Sequence, residues 1–453
     1  MELEIHDVDD EGNRADGTAT VSDLEKVRTR ASSRRSRGTR GSHGLGSDAD
    51  ETYPEGGAQA WIVVLGSWFA LLSSLGLMNT IALFQAYVLD HQLRGHSEGT
   101  VGWVFSIYTF LVFFCGIYIG PVFDKYGPRW LIVAGTAFTV GGVVSLSFCT
   151  KLWHFILSFG VLCGIGSSLL FTPSIASLGH WFKARRGLAT GLASTGGGVG
   201  GVVFPLMQTA LFGRVGYMWT TLVLALICLV GCIAGLALVR SRLPPSVDAS
   251  TRPDFRIFRQ KTFLLTTLGL FTLEFALFVP LTFISTYAVH QGFSQSFAFH
   301  LIPILNAGSI VGRALPGYYA DVIGPFNTCI GSILLSIVSC LCVWLPSGSS
   351  PAGLIVFAVL FGFASGNGVS ISPVCIGRLC HTNEYGRYYA TAYTIVSFAT
   401  LIGIPIAGNI VQADGGDYQG LIIFTGALYA VSLCFFVWAK CSALGWAKWA
   451  VAY

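Results

Sequence analysis

Long apolar runs separated by short polar connections make up most of the chain from residue 61 onward. A helix that crosses a bilayer needs about 20 consecutive apolar residues. Twelve runs have about this length: 61–87, 101–121, 130–149, 153–176, 188–212, 218–239, 263–286, 298–320, 327–345, 352–373, 389–411 and 420–440. The pattern predicts an all-α membrane protein with twelve transmembrane helices.

The polar connections repeat along the chain. The stretch GPVFDKYGPRW, residues 120–130, returns in weaker form as GYYADVIGPFN, residues 317–327. The residues that recur at a constant offset of 197 are Gly120, Asp124, Gly127 and Pro128, matched by Gly317, Asp321, Gly324 and Pro325. Those that recur at an offset of 200 are Gly166, Pro173 and Pro205, matched by Gly366, Pro373 and Pro405. We expect two pseudo-symmetric six-helix bundles built from copies of one unit.

The longest internal polar connection falls between these copies and sets the predicted domain boundaries. The predicted domains are a disordered cytosolic tail (1–55), a first bundle (56–239), a cytosolic linker (240–262), a second bundle (263–440) and a short cytosolic tail (441–453). The N-terminal tail has too few apolar residues to offset the entropy of ordering it. Its Ser32, Ser33 and Ser36 are candidate phosphorylation sites, and an unregulated tail is the alternative.

Composition supports a membrane location. The chain is 53% hydrophobic and 11% charged, with a mean hydropathy of +0.64, whereas a soluble domain has roughly 25% charged residues. Residues 1–59 alone hold 8 Lys/Arg and 13 Asp/Glu of the 27 and 23 in the chain. So little charge elsewhere makes the lipid bilayer the expected partner and excludes a nucleic-acid surface.

Enzyme, metal and cofactor signatures are absent from the sequence. None of the twelve cysteines has C-x-x-C spacing with a histidine at zinc-ligand distance, and most lie in apolar runs, which is typical of small buried hydrophobic residues. The glycine run STGGGVGG lacks the Gly-Lys-Ser/Thr of a phosphate-binding loop. We therefore expect no enzyme activity, no metal and no cofactor.

Basic residues set the predicted orientation. Loops after even-numbered helices hold thirteen Lys/Arg, against three (Arg94, Lys151 and Arg214) in loops after odd-numbered helices. Short loops rich in Lys and Arg face the cytosol. The even loops and both termini are therefore predicted to be cytosolic.

Several motifs carry a resemblance to a known family. GPVFDKYGPRW resembles the signature loop of the major facilitator superfamily. EGGAQAWIVVLG (55–66), HWFKARRGLATGLASTGGGVGG (180–201), ILNAGSIVGRALPGYYAD (304–321) and IGIPIAG (402–408) resemble segments of its monocarboxylate porter family, in the branch found in filamentous fungi. The resemblance implies the twelve-helix major facilitator fold and transport by alternating access, with substrate bound between the two halves.

The resemblance also implies a gate at the cytosolic end. Its predicted residues are Gly120, Asp124, Lys125, Gly127, Arg129, Gly317, Asp321 and Gly324, with the loop pair Arg185 and Arg186. Asp124 is expected to dock on a helix terminus of the other half. The second copy has Val322 and Phe326 at the two basic positions, so the contact of Asp321 is predicted to be weaker.

Two ionisable residues lie deep in predicted helices. Glu274 and Arg313 each cost at least about 2.5–3.5 kcal/mol at the centre of a membrane helix unless they are solvated or paired. The resemblance implies that Arg313 holds a substrate carboxylate, because a guanidinium matches a carboxylate at two points. The alternative is a structural pair with Glu274. Glu274 is the candidate for carrying a coupling proton.

The sequence departs from proton-linked carriers of the family at two positions. Asn79 replaces a lysine and Ser309 replaces an aspartate. The candidate substrate-binding residues are Arg313, Asn79, Gln85, Asn306 and Asn367, with Trp103, Tyr108 and Phe278 as neighbouring aromatics. This set favours a larger, weakly charged substrate over lactate or pyruvate.

The function predicted from these features is secondary active transport by a monomer. The substrate is a small organic anion or a weakly charged metabolite, such as an exported fungal secondary metabolite, with proton coupling through Glu274. The alternatives are an uptake carrier for a monocarboxylate or a riboflavin-like nutrient, and a transporter-like nutrient sensor. The expected location is the plasma membrane, with the vacuolar membrane as the alternative.

Overall fold

The computed structural model describes residues 53–96, 98–243 and 255–445. The predicted tail lies outside this part, apart from residues 53–55, and so do its three candidate phosphorylation sites. The middle of the linker 240–262 and most of the tail 441–453 lie outside it as well. Within the described ranges the chain is helical, with no strand.

Eleven long apolar helices cross the described part of the molecule. Their bounds are Ala58–Asn79 (α1), Gly99–Tyr126 (α2), Arg129–Leu146 (α3), Leu152–Trp181 (α4), Arg186–Leu238 (α5 and α6), Lys261–His290 (α7), Gln295–Ile323 (α8), Pro325–Ser347 (α9), Pro351–Gly377 (α10), Tyr385–Ala413 (α11) and Gln419–Leu444 (α12).

The helix Arg186–Leu238 is two membrane spans. Its 53 residues would make a straight helix of roughly 80 Å, far longer than a hydrocarbon core of about 30 Å. Gly216 breaks it, with φ 77° and ψ 176°, a conformation that glycine adopts without steric cost. α5 is the part before Gly216 and α6 the part after it. Twelve spans result, as the apolar runs predict.

The first predicted run, 61–87, is not one helix. α1 ends at Asn79, and a second helix, Ile81–Asp90, follows after Thr80. The break is held locally, because both the backbone N–H and the hydroxyl of Thr80 donate to the carbonyl of Leu77 (3.1 and 2.7 Å). We call the second piece α1′.

The helices pack in two sets joined along two seams. α1 packs on α4, α5 and α6, and α7 packs on α11 and α12, while α8 packs on α10. The first seam joins α5 to α8 and the second joins α2 to α11. These pairings correspond under the predicted repeat, in which α2 matches α8 and α5 matches α11. The division into two bundles at the linker remains a prediction.

Glycines allow the seams to close to backbone contact. A Cβ built on Gly191 of α5 would lie 2.4 Å from the carbonyl oxygen of Arg313 in α8. One built on Gly120 of α2 would lie 2.3 Å from the carbonyl oxygen of Gly386 in α11. Small residues at such positions let membrane helices approach closely. At these points the seams have no room for a side chain.

Candidate functional site

A cavity of about 700 Å³ opens at one end of the helices. Its walls are α1′, the start of α2, the second half of α7, the start of α8 and the end of α11. All five segments lie at the end where α1′ finishes and α2 begins. This end is opposite to the one that carries Asp124 and Asp321. The volume is in the range of pockets that hold drug-sized ligands, about 300–1,000 Å³.

The cavity offers hydrogen bonds but no charge. Among the residues lining it in the described structure there is no Asp, Glu, Lys, Arg or His. The polar lining residues are Asn79, Gln85, Thr100, Thr109, Thr282, Ser285, Thr286, Asn306, Asn409 and Gln412. Apolar side chains, including the rings of Trp103, Phe278, Phe283 and Phe299, make up most of the remainder.

Three of the five predicted binding residues line the cavity together. Asn79 donates from Nδ2 to the carbonyl of Gly197 in α5 (3.0 Å), and Asn306 donates from Nδ2 to the carbonyl of Ile302 (3.1 Å). Both side chains lie against Gly201, where a built Cβ would be 2.9 Å from Asn79 Cβ and 2.5 Å from Asn306 Oδ1. Gln85 lies on the wall, close to Gly102. Asn79 and Asn306 therefore form the floor of the cavity, where α1, α5 and α8 meet.

The other two predicted binding residues do not line the cavity. Arg313 is only 5% exposed and donates from Nη1 to the carbonyl of Ser194 in α5 (2.8 Å). Asn367 donates from Nδ2 to the carbonyl of Thr328 (3.3 Å) and borders a separate cavity of about 10 Å³. Arg313 therefore joins α8 to α5 across the first seam, outside the cavity.

Of the three predicted aromatic neighbours, Tyr108 lies elsewhere. Trp103 and Phe278 line the cavity. The Tyr108 hydroxyl is fully buried, donates to the carbonyl of Ser74 (3.0 Å) and contacts Ser167 Oγ (2.9 Å). Tyr108 links α2 to α1 and α4 and has a structural role.

Glu274 lies in a buried polar cluster. It is 1% exposed, and neither of its carboxyl oxygens has a hydrogen-bond partner among the described residues. Its Coulombic neighbours include Arg313 and the hydroxyls of Tyr389, Tyr393 and Tyr429. Glu274 and Arg313 are thus electrostatic neighbours but do not form a direct hydrogen-bonded pair in this state.

Both repeated aspartates dock on helix N-termini across the seams. Asp321 accepts from the backbone N–H of Gly187 (Oδ1, 2.7 Å) and of Leu188 (Oδ2, 2.8 Å) at the start of α5. Asp124 accepts from the backbone N–H of Arg387 (Oδ2, 3.0 Å) at the start of α11. A carboxylate is stabilised at a helix N-terminus by the free N–H groups and the helix dipole. These contacts close the end of the molecule opposite to the cavity.

The expectation that Asp321 makes the weaker contact is not supported by the geometry. Asp321 has two backbone donors at hydrogen-bond distance, whereas Asp124 has one, Arg387, and its Oδ1 lies beside Gly386 at the start of α11. The basic positions of the first copy do not explain the docking, since Lys125 lies over the ring of Tyr126 (5.6 Å) and Arg129 is exposed. The donors are backbone N–H groups, so the basic positions do not account for either contact, and the relative strength of the two contacts stays a prediction.

The loop pair Arg185 and Arg186 divides into two roles. Arg185 is exposed and occupies the N-cap position of α5, where its side chain makes no capping hydrogen bond. Arg186 is buried, and its guanidinium donates to the carbonyls of Phe182 (3.1 Å), Gly179 (3.1 Å) and Gly377 (3.3 Å). Gly377 ends α10, so Arg186 adds a third contact that joins the first six spans to the last six at the closed end.

We expect Asp321→Ala to open the closed end more than Asp124→Ala. A carboxylate at a helix N-terminus contributes up to ~2 kcal/mol when partly buried, which corresponds to roughly thirtyfold in an equilibrium. Hydrogen–deuterium exchange of the amides at 187–188 and 387 would measure it. Faster exchange at both places, larger for Asp321→Ala, is the expected result. A larger effect from Asp124→Ala would contradict this ranking.

Sequence reasoning missed the polar residues on α7 and α11. Thr282 and Thr286 lie four residues apart on α7, and Asn409 and Gln412 lie three apart on α11. Residues at these spacings share one face of a helix. That spacing was a usable signal, but it did not show which face meets a cavity.

Comparison with known proteins agrees with this architecture. The profile of the Major Facilitator Superfamily matches residues 63–403 and 315–443. The chain is 38% identical to "MFS-type transporter 1" of Ophiocordyceps sp., covering 86% of this chain and 87% of that protein. It is 35% identical to "Riboflavin transporter MCH5" of Saccharomyces cerevisiae (88% and 81% covered). It is 34% identical to "Fujikurins efflux protein" of Gibberella fujikuroi (84% and 82%).

Solved structures show the same fold. The transporter FucP, described in the outward conformation, superposes with a TM-score of 0.66 over 83% of this chain and 98% of that chain, at 17% sequence identity. At that identity the likeness concerns the fold alone. The profile match and the relatives, each at least 34% identical over most of both chains, establish that the protein is a multi-pass membrane transporter belonging to the Major Facilitator Superfamily.

Proposed function

We propose that this transporter exports a drug-sized, neutral or weakly charged metabolite, such as a fungal secondary metabolite, by alternating access. The observation that carries the proposal is the cavity of about 700 Å³ whose lining contains no ionisable side chain among the described residues. Amide and hydroxyl groups would orient polar groups of the substrate, and the aromatic rings would cover its apolar surface. The named fungal efflux relative supports export.

A small monocarboxylate fits the cavity poorly. A carboxylate is usually bound by an arginine or lysine through charge-assisted hydrogen bonds. Here Asn79 and Ser309 stand at positions where the proton-linked carriers have charged residues. Arg313 lies outside the cavity and donates a hydrogen bond to the carbonyl of Ser194. The motifs that resemble the monocarboxylate porters therefore support a relationship within the superfamily better than they support a shared substrate.

The structure is proposed to be the outward-facing state. The distribution of Lys and Arg places the end with Asp124 and Asp321 in the cytosol. That end is closed by the aspartate contacts, so the cavity faces away from the cytosol. Both termini would then be cytosolic, and the plasma membrane is the proposed location.

Glu274 is proposed to couple transport to protons. It is a carboxyl group buried at mid-span in α7 with no hydrogen-bond partner among the residues described. A buried charge without a hydrogen-bond partner is expensive in such a place, so uptake and loss of a proton would change the stability of this state. The substrate whose transport is coupled to this proton would bind in the neighbouring cavity, which Phe278 lines one turn from Glu274 on α7.

Uptake of a riboflavin-like nutrient is the second candidate. It is favoured by the yeast relative named as a riboflavin transporter and by five aromatic rings in the cavity, which suit a flat ring system. A transporter-like sensor is the candidate of another class, and it would bind ligand without moving it.

Metabolite profiling with a blocked cavity tests the proposal. Gly102 lines the cavity, and Gly102→Trp would fill it; Gly141→Trp is the matched control, since nothing lies within 4 Å of a Cβ at Gly141. In the producing strain, neutral compounds of drug size should be retained inside cells that carry Gly102→Trp, to the level of a deletion strain. The control should behave as wild type.

Three results would overturn the export proposal. A change restricted to small organic acids would contradict the neutral cavity. Depletion of a compound inside the cells would indicate uptake. Ligand-dependent signalling without any flux would indicate a sensor.

A further inference from the structure

A short segment in front of α1 lies across the closed end. Glu55 accepts three backbone hydrogen bonds, from Lys183 and Ala184 on Oε1 (2.8 and 2.7 Å) and from Arg185 on Oε2 (3.0 Å). These donors form the turn that leads into α5. Trp61, one turn into α1, packs on Phe182 beside the same turn, with ring centroids 5.2 Å apart.

The sequence Glu-Gly-Gly allows this approach. Glu55 has φ 48°, in the left-handed region that residues other than glycine rarely adopt. Gly56 and Gly57 follow with φ 156° and 86°, which glycine tolerates because it has no Cβ. The three residues turn the chain so that the carboxylate of Glu55 faces the turn before α5. The three hydrogen bonds hold Glu55 in its uncommon conformation.

The same helix start receives a second carboxylate from the other side. Asp321 of α8 binds the N–H groups of Gly187 and Leu188, and only Arg186 separates these donors from the ones that Glu55 binds. Glu55 belongs to the same set of helices as α5, so its bonds can persist when the seam opens. The bonds of Asp321 cross the seam and must break. Glu55 therefore fixes the position of the donors on which Asp321 docks.

Tyr53 extends the segment to the second seam. Its hydroxyl contacts Thr382 Oγ1 at 2.6 Å, 329 residues away in sequence. Its ring lies near Lys183 Nζ (5.4 Å) and the guanidinium of Arg242 (5.3 Å). Thr382 begins the short 3-10 turn Thr382–Glu384 that leads into α11, whose N-terminus binds Asp124. The segment thus touches the starts of both helices that receive the repeated aspartates.

We propose that residues 53–55 form a strap that positions the closed end of the transporter, with Glu55 ordering the docking site of Asp321 and Tyr53 holding the α11 side through Thr382. The inference rests on the proposed function in one respect, that the closed end opens during transport. The Tyr53–Thr382 contact exists only while the end is closed, whereas the Glu55 contacts persist in both states.

Cysteine labelling tests the strap without a known substrate. Ala320 lies against Gly187 in the first seam and Ala390 against Gly120 in the second, and each is 1% exposed. We would introduce Ala320→Cys or Ala390→Cys into the full-length purified protein. Peptide mass spectrometry would follow N-ethylmaleimide labelling of each site, so that native cysteines stay in place.

Tyr53→Phe should raise the labelling rate about two- to tenfold at both reporters, because the net contribution of one hydrogen bond corresponds to that range. Thr382→Val should give the same increase, and combining the two should add nothing further. Glu55→Gln should raise both rates as well, since the docking site of Asp321 loses its order. Asp417→Asn is the matched control, because Asp417 binds the N–H groups of Tyr418 and Gln419 at the start of α12, away from the strap.

Two outcomes would overturn the strap. Unchanged rates in Tyr53→Phe and Glu55→Gln would show that residues 53–55 do not hold the closed end. A rise at Ala320 alone would show a local disturbance of α5 and no effect on the second seam. Both readouts are independent of substrate, so a wrong assignment of transport direction or ligand would leave this test unaffected.

Discussion

Gly191→Val is expected to abolish transport while the protein remains folded and abundant in the membrane. A Cβ at Gly191 would lie 2.4 Å from the carbonyl oxygen of Arg313, so a side chain there forces α5 away from α8. This seam joins two sets of helices that can separate at the closed end. The transporter should therefore lose the state in which that end is closed, and with it the transport cycle.

The matched variant is Gly312→Val in α8, at a position that faces α10 and not α5. Its Cβ would lie 2.0 Å from the carbonyl oxygen of Phe363 in α10. This contact lies within the last six spans, where no movement relieves it. Overpacking costs about 1–3 kcal/mol, so we expect Gly312→Val to reduce the amount of folded protein. Gly141→Val, with open space around it, should change neither property.

Two measurements separate these variants. Fluorescence size-exclusion chromatography reports the amount of folded protein, and metabolite export reports transport. Labelling at Ala320→Cys should be fast in Gly191→Val, because the seam stays open. Normal export by Gly191→Val would show that the tight contact of α5 with α8 is not part of the cycle.

The second large effect is expected at Arg313. Arg313→Gln removes the cation nearest to Glu274, whose oxygens have no hydrogen-bond partner among the described residues. Breaking one side of a buried charge pair costs about 3–5 kcal/mol, whereas replacing both sides can be near neutral. We expect Arg313→Gln to lower the amount of folded protein strongly, and Glu274→Gln in the same chain to restore it.

The single variant Glu274→Gln should be milder than Arg313→Gln. Arg313 keeps its hydrogen bond to the Ser194 carbonyl when Glu274 is neutralised, whereas Glu274 has no such support when Arg313 is lost. If Glu274 carries the coupling proton, Glu274→Gln should also remove the dependence of transport on an imposed pH gradient. Ser309→Ala, one turn from Arg313, is the control that leaves both charges in place.

Wild-type abundance of Arg313→Gln would contradict the electrostatic pairing of these two residues. Transport that still responds fully to a pH gradient in Glu274→Gln would remove Glu274 from the coupling role. If the double variant is abundant but does not transport, then Arg313 or Glu274 is needed for the transport cycle itself and not only for folding.

The helical architecture could be read from the sequence because its signals are local. Apolar run length predicted the spans, and the repeat at an offset of 197 predicted that Asp124 and Asp321 occupy equivalent places. The same pattern could not give the break at Thr80, since apolar residues continue on both sides of it. It placed the boundary between α5 and α6 within 213–217, but it could not show that Gly216 is the residue that leaves the helical conformation.

The site was predicted only in part. Asn79, Gln85 and Asn306 line the cavity, because polar residues in apolar spans are rare enough to be noticed. Arg313 and Asn367 were equally noticeable but bond to backbone carbonyls of neighbouring helices. A polar residue in an apolar span needs a hydrogen-bond partner, but the sequence does not show whether that partner is a ligand or another part of the protein.

The sequence alone determined the membrane environment and the count of spans, since these depend on apolar composition and on the length of apolar runs along the chain. The tertiary structure decided which groups meet. Asp124 and Arg387 are 263 residues apart, and Asp321 and Gly187 are 134 apart. Backbone N–H groups exist at every residue except proline, so no sequence pattern shows which of them are left free to bind. Only the packing of α2 on α11 and of α5 on α8 brings those donors to the two carboxylates.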